Sequence, residues 1–101
     1  MLEQPAVKTL EAIVDTLVRT GQYKTQSDAI RAIAIEQIDR KIAAYARRVK
    51  RFETRHRMKF DAFTRRLKNR ATVSEEDEWM EWEAAVDMLA AWQKAKKALE
   101  N

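Results

Sequence analysis

This chain of 101 residues contains only one glycine and one proline, and this scarcity limits the folds that it can adopt. These two residue types build hairpin turns and tight loops, and average usage would place roughly a dozen of them in a chain of this length. Sixteen alanines point the same way, because alanine has the highest helix propensity. We therefore predict an all-α fold, a helical bundle of three to four helices with a long central one, in a single domain over residues 1–101.

Other parts of the composition exclude whole classes of protein. The chain has no cysteine, which rules out disulfides, thiol chemistry and cysteine-based metal sites. The first residues contain no basic segment that leads into an apolar one, and no apolar run approaches the roughly 18 residues that a membrane span needs. We expect a cytoplasmic protein without a membrane partner.

The first third of the chain, residues 1–36, has the pattern of two helices joined by a turn. Apolar residues at helical spacing predict a first helix over residues 5–20. Gly21 follows the last periodic residue, where many helices end in a left-handed residue. Thr25 with Asp28 forms a capping box, and Ser27 is a competing N-cap, so a second helix begins at one of these caps.

The second helix carries one long apolar seam and extends to about residue 56. Its apolar positions alternate steps of three and four over about two and a half heptads. They are Ile35, Ile38, Ile42, Tyr45, Val49 and Phe52. Near the helix start, Ile30 and Ile33 point away from this seam and are expected to pack against the first helix. A bend or short turn is predicted at residues 56–59, followed by a short helix that completes a basic segment over residues 37–70.

The last helix is predicted over residues 74–100, with Ser74 as N-cap and Asp77 completing a capping box. Its apolar residues spread over about half of its circumference, which one neighbouring helix would not cover. Its tryptophans fit a core role or, as interface anchors, a binding role. The candidate partner-binding residues are Trp79, Trp82, Glu78, Glu81, Val86, Leu89 and Trp92.

Charge is distributed very unevenly along the chain. Residues 40–70 carry thirteen Lys/Arg against two acids, whereas residues 71–101 carry three against eight. The basic block fits a solvated or internally paired face, a nucleic-acid phosphate backbone or an acidic protein surface. The candidate nucleic-acid-binding residues are Lys24, Thr25, Ser27, Arg40, Arg47, Arg51 and Arg55.

This sequence contains few of the residue patterns that catalysis requires. There is no glycine-rich phosphate loop, and His56, the only histidine, has no His, Cys or paired carboxylate at ligand spacing. The acids at residues 75–78 are explained by helix capping and the helix dipole. We therefore expect no enzymatic activity, no cofactor and no metal site.

The segment "LVRTGQYKTQSDAIRAIA" resembles the helix–turn–helix part of ribbon-helix-helix antitoxins, over about residues 10–36. The positions that carry the resemblance are Gly21, Tyr23, Thr25, Ser27, Asp28, Ile30 and Arg31. In that family the turn and the start of the second helix approach DNA phosphates, which would fall to Lys24, Thr25 and Ser27 here. The family's N-terminal strand has no counterpart, because residues 1–9 contain Pro5 and lack strand alternation.

The resemblance implies a homodimeric antitoxin of a type II toxin–antitoxin system, which neutralises a partner toxin by protein–protein binding. The acidic segment from Glu75 to Trp92 would cover a basic toxin surface, with Trp79 and Trp82 as anchors. Its carboxylates would stand in for RNA phosphates if the toxin is a ribonuclease. The alternatives are a nucleic-acid-binding transcriptional regulator and a structural or adaptor helical module.

Overall fold

The computed structural model describes residues 1–100, and these form four α-helices without a β-strand. The helices are α1 (Gln4–Arg19), α2 (Gln26–His56), α3 (Phe60–Leu67) and α4 (Val73–Glu100). The prediction of an all-α fold with a long central helix is thus confirmed. Internal contacts divide the chain into two compact units, Met1–Gln37 and Ile38–Asn101, with the boundary inside α2.

The end of α1 has the hydrogen bonds of a Schellman motif. The Gln22 amide donates to the Leu17 carbonyl at 3.1 Å, and the Gly21 amide donates to the Val18 carbonyl at 3.0 Å. Gly21 has a φ of 81°, which an L side chain adopts only at a cost. The single glycine therefore ends the first helix, as its position in the sequence predicts.

Local hydrogen bonds define both ends of α2. At its start, the Thr25 hydroxyl accepts a hydrogen bond from the Asp28 amide at 3.1 Å, so Thr25, and not Ser27, is the N-cap. At its end, the Met58 amide donates to the Glu53 carbonyl at 3.3 Å, and Arg57 has a φ of 55°. Arg57 thus occupies the position that Gly21 fills after α1, and the predicted turn between the second and third helices is confirmed.

A tight turn joins α3 to α4. Lys68 has φ −55° and ψ 118°, and Asn69 has a positive φ of 62°. The Arg70 amide donates to the Leu67 carbonyl at 3.1 Å, which completes the geometry of a type II turn. Asparagine suits the third position of this turn because it tolerates the left-handed region better than most residues.

The unit Met1–Gln37 buries few large side chains. Val14 and Ala29 are its fully buried residues, at 2% and 0% exposure. Of the two isoleucines expected to pack against the first helix, Ile33 is half-buried and Ile30 remains 43% exposed, while the neighbouring Ala29 is buried. A small residue, and not the isoleucine, therefore occupies the enclosed position of this turn of helix.

The unit Ile38–Asn101 has a larger and more aromatic core. Phe63, Leu67 and Trp82 form its centre, so α3 and α4 supply the most enclosed side chains. Partly buried residues surround them: Phe52, Met58, Phe60, Ala71, Trp79 and Val86. The predicted seam of α2 is buried or half-buried along its whole length, and Phe52 at its end stacks on Trp82 with ring centroids 5.4 Å apart.

Candidate functional site

The acidic helix α4 begins one residue earlier than predicted, because Thr72 caps it. The Glu75 amide donates to the Thr72 hydroxyl at 3.1 Å, and the Thr72 amide donates to the Glu75 carboxylate at 3.0 Å. This reciprocal capping box holds the pKa of Glu75 below its usual value. The predicted pairing of Ser74 with Asp77 is therefore wrong, since the same motif is satisfied two residues earlier in the sequence.

Trp82 lies on the inner face of α4 and is fully enclosed, with 0% exposure. Its ring contacts those of Phe52, Phe63 and Phe60, with centroids 5.1–5.5 Å away. Because no part of the side chain reaches solvent, Trp82 offers no surface to a partner in this conformation. Its contacts are those of a core residue.

Trp79 is only half-buried and has a different environment. Its ring packs against Phe60 with centroids 5.7 Å apart, and its indole N–H donates to the Thr64 hydroxyl at 2.8 Å. Its remaining surface lines an open groove of about 520 Å³ between α3 and α4, with Leu67 and the exposed Met80. Trp79 is thus the candidate anchor that still has a surface to offer.

The other predicted partner-binding apolar residues are Val86, Leu89 and Trp92, and all three are half-buried. Val86 packs against the aromatic core. The indole nitrogen of Trp92 is buried and has no hydrogen-bond partner within residues 1–100. These residues lie on the inner side of α4 and do not form an exposed patch.

The two predicted acidic contact residues, Glu78 and Glu81, have separate roles. The Glu78 carboxylate accepts a hydrogen bond from Arg55 and lies 3.3 Å from the His56 ring nitrogen Nε2. The Arg55 guanidinium, and then His56, hold the pKa of Glu78 below its usual value. Glu78 is therefore engaged inside the unit, whereas Glu81 is exposed.

A second ion pair links α2 and α4 near the end of the chain. The Lys96 ammonium lies 2.8 Å from the Asp39 carboxylate, and this contact raises the pKa of Lys96. Exposed pairs of this kind contribute little to stability, and they are screened by salt. The basic segment thus pairs with the acidic helix at Arg55 and Glu78, and most of the charge of both segments stays exposed.

The outer side of α4 carries a second stripe of helical spacing, which sequence reasoning missed. Its positions alternate steps of four and three residues, and every one of them is exposed. They are Val73, Asp77, Met80, Ala84, Asp87 and Ala91. Met80 is 61% exposed, and the neighbouring Met88 is 38% exposed. The sequence contained this spacing, but aspartates and alanines at seam positions gave it no apolar signal.

The predicted nucleic-acid-binding residues fall into both units. Lys24, Thr25 and Ser27 belong to Met1–Gln37 and are exposed, but the Thr25 hydroxyl is already used as the cap of α2. Arg40 and Arg47 are exposed on α2.

Arg51 and Arg55 line a cleft of about 340 Å³ beside α4, together with Arg48. Arg48 was not among the predicted residues. Its signal in the sequence was its spacing of three residues from Arg51 along the same helix.

His56 is part of the aromatic core of the second unit. Its ring lies 4.3 Å from that of Phe63 and 5.6 Å from that of Trp82, measured between centroids. The described part of the chain holds no group of three His, Cys, Asp or Glu side chains that could share a metal ion. Among α1 to α4, none combines the length and the apolar character that crossing a lipid bilayer requires.

Comparison with known proteins gives no relative for this chain: no family model, no curated protein and no solved structure matches it. The outer face of α4 and the arginine-lined cleft beside it are two surfaces that the fold leaves exposed.

Proposed function

We propose that this protein is an antitoxin that binds its partner through the outer face of α4. The observation that carries the proposal is the exposed stripe from Val73 to Ala91, in which Met80 keeps 61% of its surface exposed. A heptad-spaced stripe of small or flexible side chains, with two aspartates among them, matches the way one helix packs along another. Methionine adapts to irregular partner surfaces because its side chain is unbranched and polarizable.

The charge of α4 favours a basic partner. Residues 73–93 contain seven acids and no Lys or Arg. Within the stripe itself, Asp77 and Asp87 flank Met80 and Ala84, and all four are exposed. Charges of one sign around an apolar centre steer an oppositely charged partner and disfavour acidic ones.

The antitoxin assignment adds the sequence resemblance of residues 10–36 to this surface. Toxins that cleave RNA present basic surfaces to their substrate, and an acidic helix can cover such a surface by electrostatic complementarity. Compared with the sequence-based hypothesis, Trp82 is removed from the contact set and Met80 takes its place. Trp79 remains at the edge of the surface, beside the groove between α3 and α4.

Co-expression with the product of the neighbouring gene tests this proposal. The wild-type chain should co-purify with that product and relieve its toxicity. Met80→Arg and Ala91→Arg should each abolish both effects, because they place a large cation on the stripe. The matched control is Ala46→Arg, an exposed alanine of α2, which should bind like the wild type.

Two results would overturn the proposal. One is a neighbouring product that is harmless and forms no complex. The other is a complex that tolerates both stripe variants, which would move the interface elsewhere. Circular dichroism of each variant should show unchanged helix content, because all three substituted positions are solvent-exposed.

Self-association through the first unit is a second part of this proposal. Ile13 and Ile30 are 49% and 43% exposed, although each lies among half-buried or buried apolar neighbours. A homodimer that packs these residues together would remove them from water. Sedimentation equilibrium should give twice the chain mass of 11.9 kDa, and Ile13→Glu should reduce it to the monomer mass. A monomeric wild-type protein would contradict the homodimer.

A further inference from the structure

Three arginines of α2 line one side of a cleft in the second unit. They are Arg48, Arg51 and Arg55, and the cleft has a volume of about 340 Å³. Phe52 forms an apolar part of its wall, while Glu81 and Ala84 of α4 lie opposite. All three arginines are exposed, so their guanidinium groups are accessible from solvent.

The guanidinium groups are spread along the helix and do not converge on one point. Arg48 lies over the ring of Tyr45 at 5.3 Å, which draws it toward the start of α2. Arg55 bonds to Glu78, and its guanidinium lies 5.7 Å from the Phe52 ring centre. Seven residues of helix separate the two outer arginines, a rise of roughly 10 Å. The arrangement is a row of cations, with Arg51 at its centre.

Positive charge exceeds negative charge in this cleft. Glu78 is taken up by Arg55, and Glu81 forms no ion pair with any of the three arginines within residues 1–100. Neighbouring cations of the same sign repel each other, and an anion that binds between them relieves this repulsion. Arginine offers a planar fork of donors that fits phosphate in a bidentate manner.

We propose that this arginine row binds successive phosphates of a single polynucleotide strand. A row spaced over about two helical turns fits a repeating anion better than one compact anion. The contacts reach phosphates and no base edges, so binding should show little sequence preference. The inference goes beyond the proposed function, because the cations that carry it are on α2, although Ala84 of the α4 stripe also lines the cleft.

Fluorescence anisotropy with a labelled single-stranded oligonucleotide of mixed sequence is the first test. Arg51→Gln should weaken binding about fivefold at 0.1 M salt and lower the slope of log affinity against log salt by about 0.7, the value for one lost phosphate contact. Lys50→Gln is the matched control: it removes one positive charge from an exposed position of the same helix, but Lys50 does not line the cleft.

Glu81→Gln gives a complementary test in which binding should improve. Removing the carboxylate that faces the row should raise affinity, and damage to the fold could not produce this result. The proposal is overturned if Lys50→Gln and Arg51→Gln weaken binding equally, because the attraction would then be diffuse.

Two competitors separate the other sources of anions. Polyglutamate that binds as tightly as the oligonucleotide, with the same dependence on Arg51, would identify an acidic protein surface as the ligand. Inorganic phosphate that displaces the oligonucleotide at low millimolar concentration would indicate a site for a single anion. Either outcome would overturn the strand-binding proposal, whereas failure of both competitors supports it.

Discussion

The two compact units of this chain differ in how far each encloses its own apolar side chains. In Ile38–Asn101, Phe63 and Trp82 are buried to 1% and 0% exposure, and a shell of further apolar side chains surrounds them. In Met1–Gln37, the fully buried residues are one valine and one alanine, while Ile13 and Ile30 stay about half exposed. The first unit contains α1 and the start of α2, whereas the second contains the rest of α2 with α3 and α4, so more helices are available there to enclose side chains.

The second unit encloses its large apolar side chains with its own residues, whereas the first leaves isoleucines in contact with water. A buried aromatic side chain removes roughly 150–250 Å² from water, far more than a valine or an alanine can. A unit with small buried residues and exposed isoleucines gains stability when another chain covers them. The comparison therefore supports a homodimer proposal based on the first unit, with binding surfaces on the second.

Truncation of the most enclosed residue in each unit gives the largest expected effect. Trp82→Ala should lower the free energy of unfolding by about 3–5 kcal/mol, because it opens a cavity among aromatic rings. Val14→Ala should cost about 1.6 kcal/mol, from two buried methylene equivalents. Urea unfolding followed by circular dichroism measures both.

Met80→Ala, at an exposed position, is the control for this pair and should change stability by less than about 0.5 kcal/mol. If Trp82→Ala proved no more harmful than Met80→Ala, Trp82 would not be the centre of the core.

The left-handed residues that follow α1 and α2 provide a second comparison, at the level of the backbone. A Cβ at Gly21 would meet no atom within 4 Å, so Gly21→Ala should cost about 1 kcal/mol through its positive φ alone. Arg57 has a similar φ in the corresponding position, so Arg57→Gly should stabilise the protein by about the same amount. Thermal unfolding of both variants should shift in opposite directions. If both melting temperatures instead shifted in the same direction, Gly21 and Arg57 would not have equivalent backbone conformations in the folded protein.

Much of the fold could be predicted from the sequence because its signals are local. Gly21 and the apolar spacing of α1 and α2 determine helix ends that lie within a residue or two of the predicted positions. The cap of α4 was predicted wrongly, because two pairs match the capping-box pattern equally well in the sequence. Thr72 with Glu75 forms the cap, and Ser74 with Asp77 does not.

The candidate site was harder to predict because it depends on which side of α4 faces the core. Trp79 and Trp82 are three residues apart and look alike in the sequence, yet only Trp82 is fully enclosed. Glu78 and Glu81 differ for the same reason, because the position of Arg55 decides which carboxylate is paired. Such distinctions arise from packing between helices that are far apart in the chain.

The cap of α4 can be tested against its rejected alternative. Thr72→Ala removes the acceptor of the Glu75 amide and leaves that N–H unpaired at the helix start, so it should cost about 1 kcal/mol. Ser74→Ala lies inside the first turn and should change stability by only a few tenths of that amount. Chemical unfolding of both variants measures the difference, and a larger loss for Ser74→Ala would restore the predicted cap.

The smallest expected effect is the response of the second unit to acid. The folded state holds the pKa values of Glu75 and Glu78 below their usual value of 4.5, through the Thr72 cap and the Arg55 contact. Their stabilisation is therefore fully present above that value and is lost as pH falls through it toward the lowered pKa values. A variant with Glu75→Gln and Glu78→Gln should lose less stability between pH 5 and pH 3 than the wild type. Glu76→Gln, at an exposed acid of the same turn, should retain the wild-type profile. Equal acid sensitivity of all three proteins would mean that neither the Thr72 cap nor the Arg55 contact favours the ionised carboxylate.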